Sequence, residues 1–448
     1  MRLRLAAVVA CVVGRAGQAR LLVSTLLYEQ QAYMDDAVSN LVAFTLPTTT
    51  IVVHVSRSAT LDAAAWPARR VLVNPSREET CSSCGMVTRQ HAANVRFAAF
   101  EALVDFSHVA LFASSCRLFS GGGVLERHVA RHNFSDIQEG RGWAKAAIVG
   151  CERGMAKSKV EPCARAWATG YGGDWFDAAS LFGDALGAGG AWKRDTERYA
   201  RTHAMAFSTH EGSFYPRAAA VAFAAWLFDE SALGDVETAR TVHVAPHMGI
   251  ALEELLWPTF TLARKDVLGY DAATAGASLD VHGGSVDLVN DAQTAKTVLA
   301  LRLGRDRAHC AAPASFKPWN CLGRNSAPEG DPARHCPVSA QLLACLAKAD
   351  AGGRAPARQI DQRRVLDCAR GQADFFFADA AAVIPVNTKF LNQPECEIVR
   401  AADGQPFARG DPILDLAVEV DVWLSGGDLS RNESRAALLA QAARDAAG

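Results

Sequence analysis

Two adjacent carboxylates, Glu253 and Glu254, stand directly ahead of an apolar run, Leu255-Leu256-Trp257. Charges so close to apolar residues suit the edge of a cleft better than open surface. A carboxylate in such a place can take the proton of an attacking hydroxyl if it lies within hydrogen-bond reach. Neighbours on a regular element do not both face one site, so one of the pair serves and the other is its alternative; the plain reading is a solvated acidic pair at a helix start. His91 and Asn94 lie one helical turn apart on a single face, fit either for a ligand or for capping and core packing. Glu211 precedes Gly212-Ser213-Phe214-Tyr215, and Phe214, Tyr215 and Trp257 are aromatics that stack either on a ligand or on each other in a core. Cys81 and Cys84 have the spacing of half a zinc site, and His309 and His335 each precede a cysteine, yet no second pair of that spacing completes the pattern.

These residues need a scaffold, and from Leu21 onward strand and helix alternate. Strands are predicted at Leu21 to Leu27, Thr50 to Ser56, Val71 to Asn74 and His108 to Ala113, with helices at Gln30 to Phe44, Met86 to Val104 and Arg217 to Phe228. That alternation gives an α/β fold with a mostly parallel central sheet, right-handed crossovers and a ligand site at the carboxyl ends of the strands. The strand at His108 stops at Ser114-Ser115-Cys116, where no carboxylate is available for a divalent ion. Residues 137 to 200 are Gly- and Trp-rich and suit loops around a cleft. Residues 266 to 356 gather Cys, Gly, Pro and Asp and read as a Cys-containing insertion. Beyond them come a helix near Gln359 to Gln372, strands near Ala380 to Val386 and Ile413 to Trp423, and a last helix from Glu433. The chain shows no internal repeat, Walker-type phosphate loop or nucleophile elbow.

Composition sets the bounds. The 448 residues are 50% hydrophobic and 21% charged with a formal net charge of −2, which gives no basic field for nucleic acid. Residues 1 to 19 read as a signal peptide, with Arg2 and Arg4 ahead of an apolar run and small residues Gly17 and Ala19 at the cleavage site. No stretch is apolar enough for a transmembrane span. The expected location is the secretory pathway, in the Golgi lumen or outside the cell. The 12 cysteines suit disulfides there, with Cys310, Cys321, Cys336 and Cys345 as the leading candidates, and Asn133 and Asn432 fit glycosylation sequons. The expected division is signal peptide 1–19, core 20–265, insertion 266–356 and a C-terminal part 357–448 with a terminal strand and helix.

Taken in order, Ile51 to Ser56, Val71 to Arg77, the helix through His91 and Asn94, and His108 to Phe119 resemble the start of the core-2/I-branching N-acetylglucosaminyltransferase family, glycosyltransferase family 14. The resemblance continues through Gly212-Ser213-Phe214-Tyr215, the acidic segment Glu253 to Thr259, and Thr388-Lys389-Phe390. It implies a GT-A-type nucleotide-sugar fold and inverting, metal-independent transfer of a sugar from a nucleotide-sugar donor, UDP-linked, to a hydroxyl of a glycan or glycoprotein. No metal or other cofactor is implied. By the same resemblance Glu254 is the base with Glu253 as alternative, and Lys389 holds the diphosphate. Arg363, Arg364 and Arg370 are all open for the family's arginine. Ser56, His91, Asn94, Ser114 and Cys116 are expected at the donor, and Glu211, Ser213, Tyr215 and Trp257 at the acceptor. The chain departs from the family at Ser56, where an Asp is expected, and at Ser83, where a tyrosine is expected. The alternative is a catalytically silent secreted relative that binds carbohydrate or protein.

Overall fold

The computed structural model describes residues 19–81, 84–139, 206–241, 253–276, 278–282, 315–317 and 337–351, together with Val298, Arg302 and Cys368. At its centre lies β1 (Leu21–Leu27), buried along its whole length. A strand covered on both faces must be apolar at nearly every position, and Leu-Leu-Val-Ser-Thr-Leu-Leu comes close. It pairs in parallel with β2 (Thr50–Val55) on one side and β4 (His108–Ala113) on the other, and β2 pairs in parallel with β3 (Val71–Val73). With β8 (Phe214–Pro216), antiparallel to β4, the sheet has five strands in the order β3-β2-β1-β4-β8. The chain thus moves outward from β1 to β3 and then crosses back to place β4 on the other side of β1.

That reversal puts helices on both faces. On one face Ala37, Leu41 and Phe44 of α1 (Gln31–Phe44) pack on Val23, Ile51, Val53 and Phe112. On the other, Ala92 and Val95 of α2 (Met86–Arg96) pack on Leu22, Val52, Val109 and Leu111. Alternate strand residues feed opposite cores, as the two-residue strand period requires. Past the short β5 (Arg117–Leu118), α3 (Val124–His132) docks through its buried Glu126, which accepts hydrogen bonds from the Leu46 amide at 2.8 Å and the Thr49 hydroxyl at 2.5 Å. Two further strands, β6 (Gln138–Glu139) and β7 (Ala206–Phe207), form an antiparallel pair. Helix α4 (Arg217–Asp229) joins the α2 face, and α5 (Glu253–Ala263) adds Leu256, Trp257 and Phe260 to the same core. A second small sheet orders β5, β10 (Ser315–Lys317) and β9 (Asp280–His282).

Where the expected elements fall among the described residues, they are present, with two differences. The helix predicted to run from Met86 to Val104 is α-helical only to Arg96 and then widens into a π-turn, Phe97–Glu101, closed by the Ala102 amide on the Phe97 carbonyl at 2.9 Å. Leu103 follows with a left-handed φ of 50° and ends it. The second difference concerns the expected insertion. Leu279, Val298 and residues Leu342, Leu343 and Leu346 of α6 (Pro337–Asp350) belong to the α1-side core itself. Arg302 and Asp350 form a buried two-pronged pair at 2.5 and 2.7 Å, and Asp350 also accepts from the Gly121 amide. A Cβ at Gly121 would meet the Asp350 Cβ at 2.8 Å, so the close approach needs glycine.

Two disulfides are described. Cys81 bridges to Cys84, with Cα atoms 5.9 Å apart, and Cys345 of α6 bridges to Cys368 at 5.7 Å. The first fits the expected use of cysteines in disulfides and leaves no half zinc site there, because both sulfurs are committed to each other. The second takes Cys345 outside the expected group, whose other members, Cys310, Cys321 and Cys336, lie outside the described residues, as do His309 and His335. At the first sequon Asn133 is exposed while Ser135 is buried. No helix among the described residues is long and apolar enough to cross a membrane. The expected signal sequence up to residue 18, the part of the expected loops 137–200 beyond residue 139, the expected helix near Gln359 to Gln372 apart from Cys368, the expected later strands and last helix, and the sequon at Asn432 also lie outside them.

Candidate active site

A doubly wound sheet opens a crevice where neighbouring strands send the chain in opposite directions, outside their carboxyl ends. Here that point lies between β1 and β4. Glu29 follows β1 by two residues and Ser114 follows β4 directly; the Ser114 hydroxyl donates to Glu29 Oε1, and the Tyr28 amide donates to Oε2 at 3.0 Å. Burial pushes the Glu29 carboxyl pKa up, and the bond from Ser114, the local amides and the charge of Arg117 only partly reverse this. Arg117 fixes the turn between them. Its Nη1 donates to the carbonyls of Ser114 at 2.6 Å and Cys116 at 2.9 Å, and its Nε to Asp36 at 2.8 Å. Burial opposes its charge, yet Asp36, with Tyr33 and Glu29, holds its pKa above the ordinary guanidinium value. Cys116 is buried in the same turn.

Glu29 was not legible as a site residue by motif. A positional signal was there: of the two residues following each of β1, β2, β3 and β4, Glu29 is the only carboxylate. Ser56, at the end of β2, is buried and occupied. Its hydroxyl accepts from the Thr80 amide at 3.1 Å and lies 3.3 Å from the Ser58 hydroxyl, while its carbonyl accepts from Arg77 at 2.7 Å. That corrects its expected donor role: the side chain holds the 56–80 loop together.

His91 and Asn94 are also corrected. Both are fully buried and face the sheet. His91 Nδ1 lies 2.8 Å from the Ser24 hydroxyl, and the Asn94 amide donates to that hydroxyl at 3.0 Å and to the carbonyls of Thr25 and Val52 at 3.3 Å. These bonds satisfy polar groups sealed between α2 and β1. The other ring nitrogen of His91, Nε2, lies 3.0 Å from His210 Nε2, so one ring donates and the other accepts. Burial, with His210 and His54 adding repulsion, pushes the His91 pKa well down despite the opposing charge of Glu211.

His210 belongs to the segment that contacts the acidic pair. Gly212 and Ser213 pair with Leu111 through amide–carbonyl bonds of 2.6 and 2.9 Å, and the Ser213 amide closes a turn on the His210 carbonyl at 3.0 Å. The Ser208 amide donates to the carbonyl of Glu254 at 3.0 Å. Within α5 that carbonyl would ordinarily accept from the amide of residue 258. Residue 258 is proline and has no amide hydrogen. The gap in the helix ladder therefore serves as the dock that ties Glu254, at the first turn of α5, to the segment leading into β8. Glu254 is half-buried, whereas Glu253 is 7% exposed.

The acceptor-side expectations divide. Tyr215 and Trp257 are core residues: Trp257 stacks between Tyr215 at 5.1 Å and Phe223 at 3.9 Å, each ring about 1% exposed or less. Neither ring has a face to offer a sugar, which corrects that reading. Burial pushes the Tyr215 hydroxyl pKa up despite bonds from Ser213 and Ser208. Glu211 and Ser213 are buried beside them, and the Glu211 carbonyl accepts from the Ser278 hydroxyl at 2.7 Å. Lys389, Arg363, Arg364, Arg370 and Ser83 lie outside the described residues. Among the described residues, no three His, Cys, Asp or Glu side chains gather as a metal site. No protein-family model matches the chain, and no curated protein matches it at a significant level.

Proposed function

We propose that the chain is a GT-A-type, inverting glycosyltransferase that moves a sugar from a nucleotide-sugar donor to a hydroxyl of a glycan or glycoprotein, without a metal ion. The observation that supports it is the reversal of strand order between β1 and β4, with Glu29 and Ser114 meeting just beyond those strands, together with a half-buried Glu254 whose carbonyl accepts from the Ser208 amide. The mostly parallel sheet, with an antiparallel fifth strand next to β4, supports the same reading.

In this reading the nucleotide lies over the ends of β1 and β4 and the acceptor approaches from the α5 side. The acceptor oxygen attacks the anomeric carbon opposite the leaving group. A new carbon–oxygen bond forms as the bond to the diphosphate breaks, and its electron pair leaves with the phosphate. Glu254 takes the hydroxyl proton, a role in which a placed base contributes on the order of 100- to 10,000-fold. Charge building on the diphosphate needs fixed basic groups, and Lys389 is proposed for that role.

The occupied state of Ser56 keeps the second reading, a silent binding relative, in play. Purified protein incubated with a panel of UDP-, GDP- and CMP-sugars in the presence of a chelator separates the two. Release of free sugar or transfer to a glycan supports the enzyme; nucleotide binding without turnover supports the silent relative. Neither binding nor turnover removes the enzyme and leaves the silent relative.

A further inference from the structure

Glu29 occupies the switch-point crevice with a carboxylate that the catalytic proposal does not use. Its carboxylate accepts on Oε1 from Ser114, on Oε2 from the Tyr28 amide, and also from its own backbone amide. A carboxylate has about four acceptor sites, so capacity for a ligand hydroxyl remains. The residue is partly exposed rather than sealed, and the turn supporting it is braced by Arg117. The residue at the end of the neighbouring β2, Ser56, is neutral, buried and hydrogen-bonded inside its own loop. A charged acceptor that accepts on both oxygens, placed outside the ends of two adjacent parallel strands, matches the vicinal hydroxyls of a ribose, which donate to carboxylates in sheets of this kind.

We infer that Glu29, oriented by Ser114, is the ribose-recognising residue of the donor site and makes the enzyme select ribonucleotides over their 2′-deoxy counterparts. This rests on the nucleotide-sugar reading above. Charged hydrogen bonds are worth about 1.5–3 kcal/mol each, or roughly ten- to a hundredfold in affinity.

The test is calorimetric binding of UDP and 2′-deoxy-UDP, with CDP and GDP pairs alongside, to the full chain and to Glu29→Gln. The wild-type protein should prefer a ribonucleotide at least about tenfold, and Glu29→Gln, whose amide cannot accept on both atoms, should bring that preference below about twofold. A Glu29→Gln protein that keeps the wild-type preference, or a wild type that binds both forms equally, overturns the inference while leaving the transferase reading intact. A wild type that binds no nucleotide overturns both. If Glu29→Gln fails to fold by circular dichroism, Ser114→Ala decides: the preference should fall several-fold, and an unchanged preference contradicts the assignment.

Discussion

A carboxylate at a strand end loses part of its water, and Glu29 responds as burial dictates, with its pKa raised above the ordinary 4.5. Folded, it holds its proton more tightly than unfolded. Its contribution to stability is therefore complete below the ordinary value and is lost as pH rises through the raised one. Glu29→Gln removes the buried charge at neutral pH while keeping the shape. Its melting temperature should exceed the wild type's near about pH 7.5, with the difference shrinking toward about pH 4; a lower melting temperature for the variant at neutral pH contradicts the burial argument. Binding and stability then pull in opposite directions at one side chain, as functional sites commonly require. At the second carboxylate, Glu254→Gln should lower turnover by about 100-fold or more with nucleotide affinity kept, and Glu253→Gln, at the buried neighbour, should leave nucleotide affinity and most turnover. Steady-state kinetics on both variants would show a wrong assignment as the reverse pattern.

Secondary-structure elements place these residues, and Pro258 is the element-scale device that sets Glu254. Pro258→Ala lets α5 close its own bond from residue 258 to the Glu254 carbonyl, leaving the Ser208 amide without its acceptor. A proline inside a helix costs about 3 kcal/mol against alanine, and a stranded buried amide costs about 1–3 kcal/mol. The two nearly offset, so the melting temperature should change little while turnover falls about tenfold through the misplaced base. Unchanged turnover would remove the dock from the account. The sequence carried much of this scale. Strands β1 to β4 were legible because each is a short, β-branched or aliphatic run bounded by turn residues, and α1 and α4 because they are long. The three-residue β8 is too short to show a period, and α2 hides its inward face behind Arg89, Gln90, His91 and Asn94, polar residues that are buried and bonded. That is why His91 and Asn94 looked like ligands and proved to be fasteners. Trp257 and Tyr215 misled in the same way, since an aromatic fits a sugar or a core equally well on paper.

Across the whole molecule, the site edge is held by contacts far apart in sequence. Asp350 on α6 grips Arg302 and the Gly121 amide, while Arg302 donates to the Phe119 carbonyl at 2.7 Å, so residues more than 200 apart brace the turn region after β4. No local pattern announces such a pair, and the loop-like composition of residues 266–356 concealed it. Asp350→Ala strands a buried guanidinium and should cost about 3–5 kcal/mol in urea unfolding; a loss under about 1 kcal/mol would mean the pair is not structural in solution. Glu29 likewise emerged only once β1 and β4 were seen side by side, because its partner Ser114 is remote in the chain. The most direct measurement is single-turnover sugar release from nucleotide-sugar donors, with chelator present, by the wild type and Glu254→Gln. Release by the wild type with at least about a 100-fold slower rate in the variant is the predicted result; no release by the wild type from any donor, or equal rates in the two proteins, would contradict it.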